Sequence, residues 1–365
     1  VDLETTSPLQ IEPLQIAMVS TPWFEVPPKG YGGIESVCHV LAEGLTSRGH
    51  DVALIGAGTD HDSAGFIPTF TEPADGLGTG ESVTVEGIHA LRATRYISDM
   101  ERVDVVHDHS VLGPALADRH GAPTVVTAHG PIEGTVGDLF RLFPRNVAPV
   151  AISDSQRSAA PDVPWVSTIH HGIDVEEIPF REDKEDFLLF LGRMDPTKGP
   201  HVAIDAAREA GSRLVMAAKC SDPHEKAFFE ETVEPRLGPD VEWLGEADED
   251  TKRELLARAR ALLFPIDWEE PFGLVMIEAM AAGTPVLAFR RGSVPEVVVD
   301  EITGVIVDRP EELVEAIERV DSLDPNACRE HVRRRFSLET MIDRYESLFS
   351  DLARRGATKE PLPAA

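Results

Sequence analysis

The sequence predicts an α/β protein built from two doubly wound, Rossmann-like halves that face each other across a central crevice. Three observations carry that prediction. Short apolar runs alternate with helical patterns from one end of the chain to the other, the mark of parallel sheets covered on both faces. The alternation breaks at the charged stretch Arg181–Asp186 and then restarts. The 365 residues also exceed what one hydrophobic core usually organises.

The first series opens with a strand at Ile16–Ser20, a Pro/Gly loop, and a helix from Gly33 to Arg48. Further strands are expected at Val52–Ile55, Val103–His107, Thr124–Thr127, Val150–Ile152 and Val166–Ile169. The stretch Asp60–Glu81 is rich in Gly, Pro, Thr and Asp, without periodicity, and is expected to form a mobile loop. The second series has strands at Phe187–Leu191, Leu214–Ala217, Val241–Leu244, Leu262–Pro265, Pro285–Ala288 and Val305–Val307, with helices between them. The expected division is therefore residues 1–180 and 181–336. A last helix over 337–352 is expected to return to the first half, and 353–365 to be a disordered tail.

Bulk properties narrow the partners. Lys and Arg number 34 against 64 Asp and Glu, a formal net charge of −30. That field opposes nucleic acid and anionic membranes as partners. No run approaches the roughly 18 apolar residues a membrane helix needs. Val1–Gln10 is acidic and polar rather than basic and then apolar, so it reads as a loose leader and not a signal peptide. The three cysteines, Cys38, Cys220 and Cys328, lie far apart without metal or redox spacing. They are expected to be reduced thiols in a cytoplasmic protein. An anionic ligand would need local cations and backbone amides to overcome the overall field.

Ligands of doubly wound sheets bind beyond the carboxyl ends of the strands, and the motifs fall there. In Glu270-Pro-Phe-Gly-Leu-Val-Met-Ile-Glu278 a loop leads into a helix expected over Phe272–Ala282. The amides of Phe272, Gly273 and Leu274 would stand at a helix start, where anions and hydroxyls find free donors. Glu278, two turns on, sits in an otherwise uncharged helix and could reach back to a pair of hydroxyls; a solvated acidic face is the plain alternative. In Leu191-Gly-Arg-Met-Asp-Pro-Thr-Lys-Gly199 a strand delivers Arg193, and Lys198 opens a helix. A planar fork and a point charge at one strand end suit a diphosphate; surface ion pairs are the competing account. Gly32 and Gly33 lie in a Gly-rich loop that lets backbone approach a phosphate, although the spacing matches neither a dinucleotide fingerprint nor a P-loop.

His107-Asp-His109 and His129-Gly130 each end a strand, and His170-His171 follows another. Adjacent strand ends could gather these rings at a metal or at a sugar. No further Cys or His pair stands out, so no metal is expected. Asp60-His-Asp62 imitates a metal-binding Asp-x-Asp but falls in the expected loop.

Taken together, Gly32-Gly-Ile-Glu35, Thr127-Ala-His-Gly130, His171-Gly-Ile-Asp174, the Arg193/Lys198 loop and the Glu270–Glu278 segment running on into Ala-Met-Ala-Ala-Gly-Thr-Pro-Val resemble the retaining glycosyltransferases of family four, with the GT-B fold. The matching pieces run in order along almost the whole chain. The resemblance implies transfer of a hexosyl unit from a nucleoside diphosphate sugar, UDP-sugar first, to a hydroxyl of an acceptor, without a metal or other cofactor. The first half is acidic and lacks a basic amphipathic patch, so a soluble acceptor is expected. By the same resemblance Arg193 and Lys198 neutralise the diphosphate, and Glu278 grips the ribose hydroxyls. Glu270, with the amides of Phe272, Gly273 and Leu274, cradles the transferred sugar, and Gly32 and Gly33 close over the phosphates. His129 stands beside the reactive face of the sugar, with His109 and His171 as further acceptor-side candidates. His171 stands where many relatives carry Asn. A nucleotide-sugar epimerase, a sugar phosphorylase or a non-catalytic sugar-nucleotide-binding protein remain the alternatives.

Overall fold

A computed structural model describes residues 12–29, 32–59 and 65–358. The chain forms two wholly parallel sheets. The first has seven strands: β1 (Gln15–Val19), β2 (Asp51–Ala57), β3 (Gly65–Phe70), β4 (Val105–Asp108), β5 (Thr124–Ala128), β6 (Val147–Ala151) and β7 (Ser167–Thr168), in the order β3-β2-β1-β4-β5-β6-β7. The second has six: β8 (Leu188–Arg193), β9 (Leu214–Lys219), β10 (Val241–Trp243), β11 (Ala261–Phe264), β12 (Val286–Phe289) and β13 (Gly304–Val307), ordered β10-β9-β8-β11-β12-β13. Chain direction across each sheet reverses once, at β1/β4 and at β8/β11. Such switch points open a crevice at the strands' carboxyl ends.

Helices cover both sheets. In the first half they are α1 (Gly33–Ser47), α2 (Ser82–Asp99), α3 (Gly134–Leu142) and α4 (Asp154–Ala159). The second half carries α5 (Pro200–Glu209), α6 (Pro223–Phe228), α7 (Glu249–Arg258), α8 (Leu274–Ala281), α9 (Val294–Val297), α10 (Pro310–Arg319) and α11 (Pro325–Arg335), and α12 (Leu338–Thr358) ends the described chain. Every residue of β4, β5, β6, β11, β12 and β13 is buried. Their uninterrupted apolar character follows from having helices on both faces.

The last helix crosses between the halves. Met341, Ile342, Tyr345, Phe349 and Leu352 recur at three- and four-residue intervals, so they form one face of α12. That face joins the core of the first sheet, with Val37, Leu41 and Leu45 of α1. Close approach depends on Gly44, where a Cβ would stand 2.2 Å from Cδ1 of Ile342. Arg48 Nη1 and His50 Nε2 both reach Glu346, at 2.6 and 2.9 Å. His50 Nδ1 accepts from the amide of Leu14, which makes Nε2–H the donor to that carboxylate. The crossing itself is a short backbone pairing: Ile173 N donates to Phe336 O at 3.0 Å and Leu338 N to Ile173 O at 2.8 Å.

Two expectations are corrected. The stretch 60–81 is not all loop: β3 lies within it, and α2 follows directly. Phe66 and Thr69 are buried, and the Thr69 hydroxyl donates to Gly56 O at 3.0 Å. Pro68 masks the strand in the sequence. It is tolerated because β3 is an edge strand, where a missing donor breaks no ladder. The second correction is at the C-terminus, where α12 continues past Leu352 to Thr358. The Asp60-His-Asp62 sequence, the leader Val1–Gln10 and the tail from Lys359 lie outside the described residues.

Candidate active site

The carboxyl ends of both sheets open into one cleft of about 810 Å³. From the first half it is lined by Gly32 and Gly33 at the start of α1, His109 after β4, His129 after β5, and His171 after β7. From the second half come Arg193 at the end of β8, Lys198 in the following loop, and Glu270, Phe272, Gly273 and Leu274 before and at the start of α8. Of the residues singled out in the sequence, Glu278, His107 and His170 are absent from this lining.

The N-termini of α1 and α8 converge. A Cβ at Gly33 would stand 3.5 Å from Cδ1 of Leu274, an ordinary contact across the two halves. Gly273 is the N-cap of α8 in the left-handed conformation. The first-turn amides and the positive ends of two helix dipoles therefore meet at one place.

Lys198 Nζ donates to Glu270 Oε2 at 2.6 Å and lies 4.5 Å from the centroid of the Trp268 ring. Trp268 Nε1 donates to the same carboxylate oxygen at 3.1 Å. Backbone locks hold these side chains in place. Asp267 N donates to Thr197 O at 2.7 Å, and Ser293 N to Glu270 O at 2.9 Å. Gly199 has φ +74°, and a Cβ there would stand 2.1 Å from Pro265 O, so the loop after β8 can touch the loop after β11 only with glycine.

Arg193 is held differently. Its Nε donates to Glu225 Oε1 at 2.5 Å and its Nη2 to Asp222 Oδ2 at 3.3 Å. Asp222 and Glu225 form the capping box of α6, so a helix start fixes the guanidinium at the cleft wall. Glu278 pairs with Lys252 Nζ at 3.0 Å. It lies on the side of α8 against which α7 packs, and its side chain is mostly buried.

The histidines are brought together. Register pairs β4 with β5, so His109 Nδ1 lies 2.8 Å from His129 Nε2, and His109 Nε2 lies 3.3 Å from His107 Nδ1. His171 stacks on His129 with ring centroids 5.2 Å apart. Burial pushes His107, His109 and His129 well below the ordinary imidazole range, and His171 down to about 3. All four rings are neutral near pH 7. Among the described residues no group of three or more His, Cys, Asp or Glu is arranged to hold a metal ion. His170 turns away from the cleft toward Glu296 at 3.2 Å, and Glu296 also accepts from the amides of Asp154 and Ser155 in the other half.

Sequence reasoning misses four contributors. Trp268 stands two residues before Glu270, yet a lone tryptophan in a loop carries no motif. Asp222 and Glu225 are recognisable as a capping box, but not as the holders of Arg193. In the sequence Glu35 stands out only as part of the Gly32-Gly-Ile-Glu35 motif. It is buried, accepts a hydrogen bond from the Thr21 hydroxyl, and burial raises its carboxyl above the usual range.

Two opposed Rossmann-like sheets, a cleft at both switch points and cations beside converging helix starts define the class of GT-B glycosyltransferases. Residues 31–177 match the family described as Glycosyltransferase Family 4, and residues 174–335 match Glycosyl transferases group 1. The chain belongs to glycosyltransferase family four. It is similar to an uncharacterized glycosyltransferase of Methanocaldococcus jannaschii, 26% identical with 84% of this chain and 89% of the relative covered. It is also similar to a glycogen synthase of Mycobacterium tuberculosis, 28% identical over 80% of this chain and 82% of the relative. Among solved structures, AviGT4, a glycosyltransferase involved in avilamycin A biosynthesis, superposes with a TM-score of 0.71 at 26% identity, covering 94% of this chain and 98% of that one. A sucrose-phosphate synthase from Thermosynechococcus elongatus shares the fold with a TM-score of 0.77 at 20% identity, covering 93% and 99%.

Proposed function

We propose that this glycosyltransferase moves a hexosyl unit from a nucleoside diphosphate hexose, UDP-hexose first among them, to a hydroxyl of a soluble acceptor, with retention at the anomeric carbon. One observation carries the reading. In a chain of net charge −30, Arg193, Lys198 and the N-termini of α1 and α8 gather at a single cleft. That arrangement suits a diphosphate and little else of comparable size.

In this reading Arg193 and Lys198 hold the diphosphate and stabilise the leaving group as charge develops on it. Lys198 exchanges part of its contact with Glu270 for phosphate oxygen, which frees the Glu270 carboxylate to accept from hydroxyls of the sugar. The amides of Phe272, Gly273 and Leu274 cradle that sugar, Gly32 and Gly33 cover the phosphates, and Glu278 takes the ribose hydroxyls. His129 faces the sugar, with His109 and His171 behind it. The acceptor attacks from the side of the departing diphosphate, which takes its proton. Catalysis is then positioning and charge stabilisation.

The first-half wall is apolar, with Leu112, Ile132, Val136 and Phe140, and exposed Leu77 and Val83 stand at its mouth. The acceptor accordingly presents an apolar face beside its reacting hydroxyl. Among the described residues no helix is long and apolar enough to cross a membrane. The three cysteines are unpaired, in keeping with a reducing cytoplasm.

The test is a donor screen by thermal shift with UDP-, GDP- and ADP-hexoses, followed by transfer assays with the donor that binds. Product NMR reads the anomeric configuration. Stabilisation by a nucleoside diphosphate hexose and transfer with retention are expected; inversion sinks the mechanism. Epimerisation of donor alone, or turnover that depends on inorganic phosphate, replaces the transferase reading.

A further inference from the structure

A line of hydrogen-bonding groups runs from the cleft into the buried core of the first half and ends on the last helix. His129 Nε2 meets His109 Nδ1 at 2.8 Å, and His109 Nε2 meets His107 Nδ1 at 3.3 Å. His107 Nε2 meets the Thr127 hydroxyl at 2.8 Å, and that hydroxyl meets Tyr345 Oη at 2.8 Å. Tyr345 has no solvent exposure, His107 none, and His109 and Thr127 almost none. Tyr345 belongs to α12, and it packs its ring 4.7 Å from that of His107.

The direction of this chain is decided at its buried end. A phenol has one proton, and leaving it unpaired in a dry core costs the full desolvation of that group. Among the described residues, the partner of Tyr345 Oη is Thr127. If Thr127 donated to Tyr345, the phenol proton would have no acceptor. Tyr345 therefore donates to Thr127, and the single Thr127 proton is left for His107 Nε2. A neutral imidazole that accepts at one nitrogen donates from the other. His107 thus donates from Nδ1 to His109 Nε2, and His109 donates from Nδ1 to His129 Nε2. His129 must then carry its proton on Nδ1, the nitrogen left for a ligand. The low proton affinity that burial gives these rings keeps each one neutral, so the direction is passed on intact.

We propose that Tyr345 and Thr127 are positioning residues that fix His129 in the Nδ1–H tautomer, so that it offers an N–H donor to an oxygen of the bound sugar and not a basic nitrogen. The opposite tautomer is the one that predominates for imidazole side chains in water. The proposal rests on the reading of His129 as facing the donor sugar, but the tautomer itself is measurable without any substrate.

The experiment uses the full chain labelled with 15N-histidine, with the His129 resonances assigned by their loss in His129→Gln. Two-dimensional 15N–1H spectra separate a protonated from an unprotonated ring nitrogen directly. In the wild type, His129 is expected to show a protonated Nδ1 and a bare Nε2. Thr127→Val removes the hydroxyl with little change of shape, and should let the Nε2–H form of His129 appear. The same variant should lose about ten- to a hundredfold in kcat, with the KM for the donor changed less than threefold. Thr127→Ser should restore both the spectrum and the rate. A wild-type His129 protonated on Nε2 overturns the proposal, as does a Thr127→Val spectrum identical to wild type. If Thr127→Val fails to fold, the wild-type spectrum still decides the question. An Nδ1–H tautomer in a protein that transfers sugar unaltered when His129 is Gln leaves the relay standing and removes His129 from the sugar site.

Discussion

Lys198 Nζ and Glu270 Oε2 stand 2.6 Å apart, although the two residues come from loops 72 positions apart in the chain. The ion pair joins the loop after β8 to the loop before α8, and in the proposed reading the diphosphate takes over part of the Lys198 contact. Lys198→Ala should lower kcat/KM about 10²–10³-fold, the range typical of removing one group that stabilises developing charge. It should also weaken the thermal shift given by the donor. Glu270→Ala should abolish transfer while that shift survives. Steady-state rates and melting curves on both purified variants check this; normal turnover in either removes its assigned role.

The Glu278 carboxylate is held by Lys252 at 3.0 Å, away from the cleft lining. A ribose grip needs an acceptor for two hydroxyls, and an amide in its place loses one. Glu278→Gln should raise the donor KM about tenfold and move kcat less than about threefold, the mark of binding shared by ground and transition states. Equal losses in kcat and kcat/KM would place Glu278 in the chemistry instead.

Burial brings His171 down to about 3, with the nearby His170 acting in the same direction. The unfolded chain takes up that proton near pH 6.5, whereas the folded one does not until about pH 3. The cost is absent above pH 6.5 and grows as the pH falls from there toward 3, by at most about 1.4 kcal/mol per pH unit. Asp108 acts oppositely: burial raises it to about 7, so its contribution to stability falls as the pH rises toward 7. The informative quantity is thus the difference between variants. His171→Asn should flatten the loss of stability between pH 6.5 and 5, measured by denaturant unfolding at each pH. Parallel curves for variant and wild type would contradict a neutral, buried His171.

Much of this architecture was legible because parallel strands covered on both faces are written as apolar runs. β4, β5, β11 and β12 stand close to where those runs predict them. The cleft residues were legible because strand ends and helix starts are where special residues must sit. β3 was hidden by Pro68 and a polar surround, since an edge strand needs neither a full ladder nor two apolar faces. The sequence puts the start of α8 two residues early, because Pro271, Phe272 and Gly273 form the turn and cap before it. The partners of Arg193 and Glu278 were hidden for another reason. A capping box is a local pattern, but which distant side chain it holds, like the partner in a cross-helix ion pair, is settled by packing between segments far apart in the chain. Tyr345, 218 residues from Thr127, is the extreme case.

The crossing of α12 also bears on how the molecule comes into being. The first sheet is translated long before the helix that supplies Met341, Ile342, Tyr345, Phe349 and Leu352 to its core. Until that helix emerges, the half-made protein carries an open apolar trough along α1, next to residues that will line the cleft. The second half, in contrast, draws its core mainly from its own residues together with the linker before it. Synthesis thus leaves the earlier half waiting on the later one, and a nascent chain stalled before Leu338 should be a client for chaperones rather than a finished domain.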